Sequence, residues 1–93
     1  MSEVKYDQSE INAELAETFK MVLPDLRKKY DKPFDDYVLE KVWSGSIVVG
    51  QVFYVFHVKQ GQIPNHHHYT VNFEVNHGKY KFGWIVEGLK TVF

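Results

Sequence analysis

The chain has 93 residues, of which 44% are hydrophobic and 16% aromatic, so it can bury enough apolar surface to form one folded domain over residues 1–93. Eleven basic residues nearly balance twelve acidic ones, which argues against an overall field that attracts nucleic acid or a membrane surface. The absence of cysteine excludes disulfides, thiolate catalysis and zinc–sulfur sites.

The N-terminal third predicts a flexible polar arm at residues 1–8, followed by a helical region over residues 9–31. Asp7-Gln8-Ser9-Glu10 is a plausible capping box, with Ser9 as a rival N-cap. Apolar residues then recur at helical spacing: Ile11, Leu15, Phe19, Val22, Leu26 and Tyr30. Pro24 is expected to kink or end the first helix, because proline lacks an amide proton and its ring clashes with the preceding turn.

No targeting or membrane segment is visible. The first residues lack a basic stretch followed by an apolar one, and no apolar run reaches the length of a membrane span. A cytoplasmic protein with no membrane partner is therefore the default expectation.

From Phe34 onward the apolar period changes to two, which predicts an antiparallel sheet over residues 34–93. We place four strands at residues 37–43, 51–59, 68–76 and 79–87. One helical region followed by four such strands predicts an α+β fold in which an N-terminal helix packs on a four-stranded antiparallel β-sheet.

The His77-Gly78 pair predicts a two-residue type I′ turn between the last two strands. This turn would pair Asn76 with Lys79, Val75 with Tyr80, Glu74 with Lys81 and Phe73 with Phe82. Apolar residues then meet apolar residues, and the opposite charges meet on the solvent side. The predicted register is therefore consistent with cross-strand pairing.

Residues 32–58, KPFDDYVLEKVWSGSIVVGQVFYVFHV, resemble the cystatin family, and its cytosolic branch, the stefins, more than the secreted one. The family pattern is a helix, a strand, a Gln-Val-Val-Ala-Gly loop, a strand with an aromatic start, and two further strands. The loop motif falls here on Ser46, Ile47, Val48, Val49 and Gly50, and Phe53-Tyr54 follows it.

The resemblance implies a cystatin-like fold and reversible inhibition of papain-like cysteine proteases, without any chemistry. In the family, the N-terminal arm and two hairpin tips form a wedge that fills the active-site cleft. The matching elements here are residues 1–8, the loop Ser46–Gly50 and the His77-Gly78 turn, with Trp43 beside the first loop.

This chain also departs from the family pattern in the three elements of the wedge. Ser46 stands for glutamine and Val49 for alanine, and residues 1–10 contain no glycine. The second hairpin reads Asn76-His77-Gly78-Lys79 in place of a Pro-Trp or Leu-Pro pair.

Two alternatives stay open for the apolar loop and its neighbour. Ile47–Val49 could belong to a long twisted β-ribbon with Gly45 and Gly50 as bulge positions, or could be an exposed tip held out for a partner. Trp43 could be a surface anchor or could close one end of the core.

The alternative function is a non-catalytic protein-interaction module, or an inhibitor of an unrelated protein, on the same fold. The chain could act as a monomer or as a domain-swapped dimer.

The His66-His67-His68 run is the most conspicuous polar cluster. Residues 66 and 68 would share a strand face, and pairing of residue 59 with residue 68 would bring His57 to the same face. Three imidazoles could hold zinc, copper or nickel. A solvated connection between strands is the favoured interpretation, so no metal or other cofactor is predicted.

No catalytic constellation is recognisable in the sequence. His57 could act as a base, but no serine or carboxylate stands at a catalytic spacing from it, and the glycines form no phosphate-binding pattern. We therefore expect a protein that is not an enzyme.

Overall fold

The computed structural model describes residues 4–30, 34–61 and 66–90, in which two helices accompany a five-stranded antiparallel sheet. The elements in chain order are β1 (Asp7–Ser9), α1 (Ala13–Lys20), α2 (Leu23–Tyr30), β2 (Tyr37–Gly45), β3 (Gln51–Gln60), β4 (His67–Asn76) and β5 (Lys79–Glu87). The strands lie in the order β1-β2-β3-β4-β5. The α+β class is confirmed, but the sheet has five strands where the sequence predicted four. Residues 1–3 of the predicted arm, residue 31 of the predicted helical region, and residues 62–65 and 91–93 of the predicted sheet region lie outside the described residues.

The additional strand is β1, which occupies residues expected to form the arm and the helix cap. Asp7, Gln8 and Ser9 pair with Ser44, Trp43 and Val42 of β2. The predicted capping box is therefore wrong, because these residues form an edge strand whose backbone pairs with β2. The helix cap is Asn12 instead, whose Oδ1 accepts a 2.8 Å hydrogen bond from the amide of Leu15.

Pro24 separates the helical region into two helices, as predicted. Helix α1 ends at Lys20, and α2 begins at Leu23, which places Pro24 in the first turn of α2. That position has no amide partner inside the helix, so proline is tolerated there. Within the described residues, neither helix has the length and apolar character needed to cross a membrane.

The helices pack on one face of the sheet and form a single hydrophobic core. Its buried members are Phe19, Val22, Leu23, Leu26, Phe34, Val42, Phe56, Val58, Tyr69, Val71, Phe73 and Ile85. The helical stripe and the apolar faces of β3 and β4 therefore meet, as the two apolar periods predicted. Strand β5 instead contributes both Phe82 and Ile85, because its register shifts opposite Asn72 and Phe73. Phe56 lies at the centre, with ring centroids 5.1 Å from Phe19 and 5.7 Å from Phe73.

The last hairpin has the predicted register. Asn76, Val75, Glu74 and Phe73 pair with Lys79, Tyr80, Lys81 and Phe82. His77 and Gly78 have φ angles of 48° and 80°, both positive as a type I′ turn requires. The turn chemistry and the alternation of side chains thus determined this pairing together.

The opposite face of the sheet is also buried at its centre, by the chain that follows β5. The Thr70 hydroxyl donates a 2.8 Å hydrogen bond to the carbonyl of Gly88 and accepts one of 2.8 Å from the amide of Lys90. His57 Nε2 lies 3.2 Å from the carbonyl oxygen of Lys90. Thr70 and His57 are 0% and 8% exposed, so residues 88–90 cover a polar patch on this face.

We expect Thr70→Val to lower the free energy of unfolding by about 1–3 kcal/mol, because it leaves the Gly88 carbonyl and the Lys90 amide without their partner. Urea denaturation followed by circular dichroism measures this change. Thr18→Val is the control, since the exposed Thr18 hydroxyl donates its hydrogen bond to the Glu14 carbonyl of its own helix. Equal losses in the two variants would contradict the role given to Thr70.

Candidate protein-binding surface

The loop between β2 and β3 exposes three consecutive apolar side chains. Residues 46–50 lie outside both strands, and Ile47, Val48 and Val49 are 45%, 55% and 98% exposed. The ribbon interpretation is therefore wrong for these residues, because they form the tip of a hairpin. A contiguous exposed apolar patch on a small domain indicates a contact site for a partner.

Hydrogen bonds within the loop direct its polar groups inward. Ser46 Oγ lies 2.7 Å from the carbonyl oxygen of Val48 and 2.6 Å from that of Gln51. The amide of Gln51 donates a 3.3 Å hydrogen bond to the same Val48 carbonyl. The loop is thus held by its own backbone, while the apolar side chains remain free for contact.

The tip of the second hairpin lies directly beside the first. The amide of His77 donates a 3.0 Å hydrogen bond to the carbonyl of Gly50. The His77 imidazole also occupies the space that a Cβ at Gly50 would need, and Gly50 has a φ of 85°. The positive φ therefore favours glycine at residue 50, and a Cβ there would have to displace the His77 imidazole.

Gly50→Ala and Gly78→Ala form a matched pair that tests this contact. Both glycines have a positive φ, but the position of a Cβ at Gly78 is open. We expect each variant to lower the free energy of unfolding by about 1–2 kcal/mol, and only Gly50→Ala to displace the imidazole. Urea denaturation gives the stabilities, and the NMR chemical shifts of the His77 ring report the displacement. An unchanged His77 ring in Gly50→Ala would show that the two tips do not make this contact.

The N-terminal arm reaches the same end of the sheet. Because Asp7 pairs with Ser44 in antiparallel fashion, the residues before Asp7 run toward the first loop. The backbone of Lys5 and the side chain of Val4 pack against Gly45, at a distance that excludes any side chain there. The Tyr6 hydroxyl bonds to the side chain of Asn72, and burial raises the pKa of Tyr6.

Three segments therefore meet at one end of the molecule, and we refer to them as the tip surface: residues 4–6, residues 46–50 and the His77-Gly78 turn. A groove of about 500 Å³ lies beside it. The groove is lined by Gln51, Glu74, Asn76, His77, Lys79, Tyr80 and Lys81. Gln51 Nε2 donates a 2.5 Å hydrogen bond to Glu74 Oε2, which fixes one wall of the groove.

Trp43 lies next to the tip surface but is buried, with 8% of its side chain exposed. It packs on the sheet face opposite the helices, where its ring meets the His57 imidazole edge to face at 4.5 Å between centroids. This arrangement favours packing over a role as an exposed anchor. It closes the second buried face rather than an end of the main core.

The three metal candidates share a face, because His68 pairs with Lys59 as predicted. They do not form a common site. His57 is buried and lies within hydrogen-bonding distance of the Lys90 carbonyl, whereas His66 and His68 lie together, with ring centroids 5.1 Å apart. In the part of the chain that the structure describes, no three His, Asp or Glu side chains are arranged to hold a metal ion.

The resemblance implied that residues 1–8 belong to this surface, but no pattern in the sequence predicted that residues 4–6 pack against Gly45 or that Ser46 forms these hydrogen bonds. Residues 4–9 carry no alternating apolar pattern, so nothing marked them as an edge strand with an adjacent anchor. One usable signal was Gly45, because a glycine at the end of a strand often marks a close approach of another backbone.

Comparison with known proteins adds no assignment. No protein-family model matches the chain, and neither curated proteins nor solved structures match it. The function is therefore inferred from the geometry of the tip surface.

Proposed function

We propose that this protein is a non-catalytic, reversible inhibitor of papain-like cysteine proteases that has a cystatin-like fold and acts in the cytoplasm. One observation carries the proposal: the apolar tip at residues 46–50 is exposed and lies beside both the His77-Gly78 turn and the N-terminal arm. These are the three segments from which cystatins build their wedge. The resemblance of residues 32–58 to that family supplies the class of target.

Binding by such a wedge needs no chemical step, only burial of apolar surface in a cleft. Ile47, Val48 and Val49 are β-branched, so their side chains lose little rotamer freedom when they dock. Burial of an exposed valine side chain is worth about 1.5–3 kcal/mol. The hydrogen bonds of Ser46 fix the loop before binding, which lowers the entropic cost of association.

The departures from the family pattern have a physical interpretation in this arrangement. Ser46 does not extend outward as a glutamine would, because its hydroxyl is directed into the loop. His77 supplies a ring at the second tip, where cystatins commonly have a Pro-Trp or Leu-Pro pair, and its amide joins that tip to Gly50. We therefore propose Ile47–Val49 as the main contacts and the His77-Gly78 turn and residues 4–6 as secondary ones.

Titration of the protein into papain, with a fluorogenic peptide as substrate, tests the proposal. We expect saturable and reversible inhibition with a Kd at or below about 1 μM. Recovery of full protease activity on dilution would show that the complex is reversible. No inhibition at about 100-fold higher concentration would overturn the proposal and leave the fold unaffected.

The groove beside the second hairpin favours a second candidate, a non-catalytic module or inhibitor directed at an unrelated protein. Lys79, Lys81 and Glu74 give this groove a charged lining that an apolar wedge does not use. Such a partner would bind across the tip surface and the groove together. This candidate would be favoured by two results together. The parent protein would capture one protein without inhibiting papain, and both Val48→Asp and Lys81→Glu would fail to capture that protein.

A further inference from the structure

We propose that His66, His68 and Glu40 bind a divalent late transition-metal ion, with Ni²⁺, Cu²⁺ and Zn²⁺ as the ions that suit the ligands. The site lies on the sheet face opposite the helices. It is at the end of β3 remote from the tip surface, because His68 pairs with Lys59 whereas the tips adjoin Gln51. The inference is independent of protease inhibition.

The spacing of the two imidazoles fits a shared ion. The rings of His66 and His68 stand at 89° to each other, with centroids 5.1 Å apart. A metal bound to two histidine nitrogens at about 2.1 Å, with a tetrahedral angle between them, places the ring centroids about 5 Å apart. The pair is therefore close to the separation that coordination requires.

Glu40 supplies an anionic third group. Its Oε1 lies 3.0 Å from Nδ1 of His68, and the two side chains are 36% and 33% exposed. Although this separation is that of an ion pair, His68 Nδ1 does not have the geometry of a hydrogen bond to any of the described residues. Two ligand atoms each about 2.1 Å from one metal, with the same tetrahedral angle between them, would lie about 3.4 Å apart, so a small movement of Glu40 reaches that separation.

The two histidines also have ring nitrogens that form no hydrogen bond with the described residues. Nδ1 of His66 and Nδ1 of His68 are both buried, and neither has a hydrogen-bond partner among the residues that the structure describes, although Nδ1 of His68 lies against Glu40 Oε1. Buried polar atoms are normally satisfied, so an exception indicates a missing ligand or a functional role. A metal ion at one or both of these nitrogens would satisfy them.

The three side chains do not yet surround a common point in the described residues, so Glu40 or His66 must rotate as the ion binds. Partial exposure of Glu40 leaves room for that movement. His57 is left out of the site, because it is buried and its Nε2 is already placed against the Lys90 carbonyl. This ligand set therefore replaces the trio of His57, His66 and His68.

His67 provides a matched control within the same run of histidines. Its Nδ1 lies 3.0 Å from Oε1 of Glu87, on the next strand, and its side chain is 53% exposed. Successive strand residues point to opposite faces, so His67 is directed away from His66 and His68. Its substitution removes an imidazole without changing the proposed site.

The test is thermal unfolding of the untagged protein with and without NiCl₂ at pH 7.5 and pH 5. We expect Ni²⁺ to raise the Tm of the parent protein and of His67→Ala by several degrees at pH 7.5. The rise should be absent in His66→Ala and His68→Ala and reduced in Glu40→Gln. At pH 5 it should be smaller, because protons compete with a metal ion for imidazole ligands.

A second measurement keeps the result interpretable if a variant is less stable. Titration calorimetry at 25 °C measures the equilibrium binding of Ni²⁺ to the parent protein and to variants whose circular dichroism matches it. The parent protein should bind one ion per chain. Absence of binding to the parent protein would overturn the proposal. Binding that persists in both His66→Ala and His68→Ala would overturn it equally, since the ion would then lie elsewhere.

Discussion

Replacement of Val48 by aspartate is expected to weaken the inhibition of papain at least about 100-fold, which corresponds to about 2.7 kcal/mol. Val48 is 55% exposed and does not belong to the core cluster, so its side chain contributes little to the stability of the fold. In the complex its side chain would be covered by the protease cleft. A carboxylate there would lose its hydration without gaining a partner, and that loss costs more than the missing apolar contact. The measurement is the same papain titration, with the inhibition constant determined for the variant and the parent.

Val38→Asp is the matched control for this substitution. Val38 is 52% exposed and lies at the start of β2, at the opposite end of this strand from the tip surface. The two variants therefore add the same charge to equally exposed valines, and only one of them belongs to the tip surface. We expect Val38→Asp to inhibit like the parent protein. Two results would show that residues 46–50 do not make the contact: inhibition of papain by Val48→Asp as strong as that by the parent protein, or the same loss of inhibition in Val48→Asp and Val38→Asp.

The sheet was largely predictable because two local signals agreed. Alternation of apolar residues located the four long strands, and the His77-Gly78 turn set the register of β4 against β5. Strand β1 was not predictable, because Asp7–Ser9 is short, polar and exposed on both sides. Its only reason to be extended is the backbone edge of β2, which is a tertiary partner that no local pattern reveals.

The candidate binding surface was predictable only in part. The apolar letters at 47–49 suited a buried ribbon as well as an exposed tip, and hydrogen bonds of Ser46 and Gly50 decide between them. The position of both hairpin tips at one end follows from the order of the strands. The position of residues 4–6 does not, since it depends on β1 and on the missing side chain of Gly45.

Phe56→Ala is expected to have the largest effect on stability, a loss of about 3–5 kcal/mol from the free energy of unfolding. Phe56 is fully buried between the helices and the sheet, in contact with Phe19 and Phe73. Its truncation removes apolar contacts from α1 and from β4 at once and leaves a cavity between them. Because domains of this size are stable by only about 5–15 kcal/mol, the Tm should fall by about 15–30 °C. Urea denaturation and a thermal scan give the two quantities.

Phe53→Ala provides the control, because Phe53 lies on the same strand but is only partly buried and belongs to neither the core cluster nor its partly buried neighbours. Its truncation should lower the free energy of unfolding clearly less than that of Phe56, and equal losses would contradict the assignment of the core to the Phe56 face of β3.

Phe56→Ala also distinguishes the stability of the fold from binding to the protease. The tip surface lies outside the core, so the folded fraction of Phe56→Ala should still inhibit papain, and saturating papain should raise the Tm of this variant. Val48→Asp should show the reverse, with an unchanged Tm and little inhibition, because the fold and the binding contact depend on different residues.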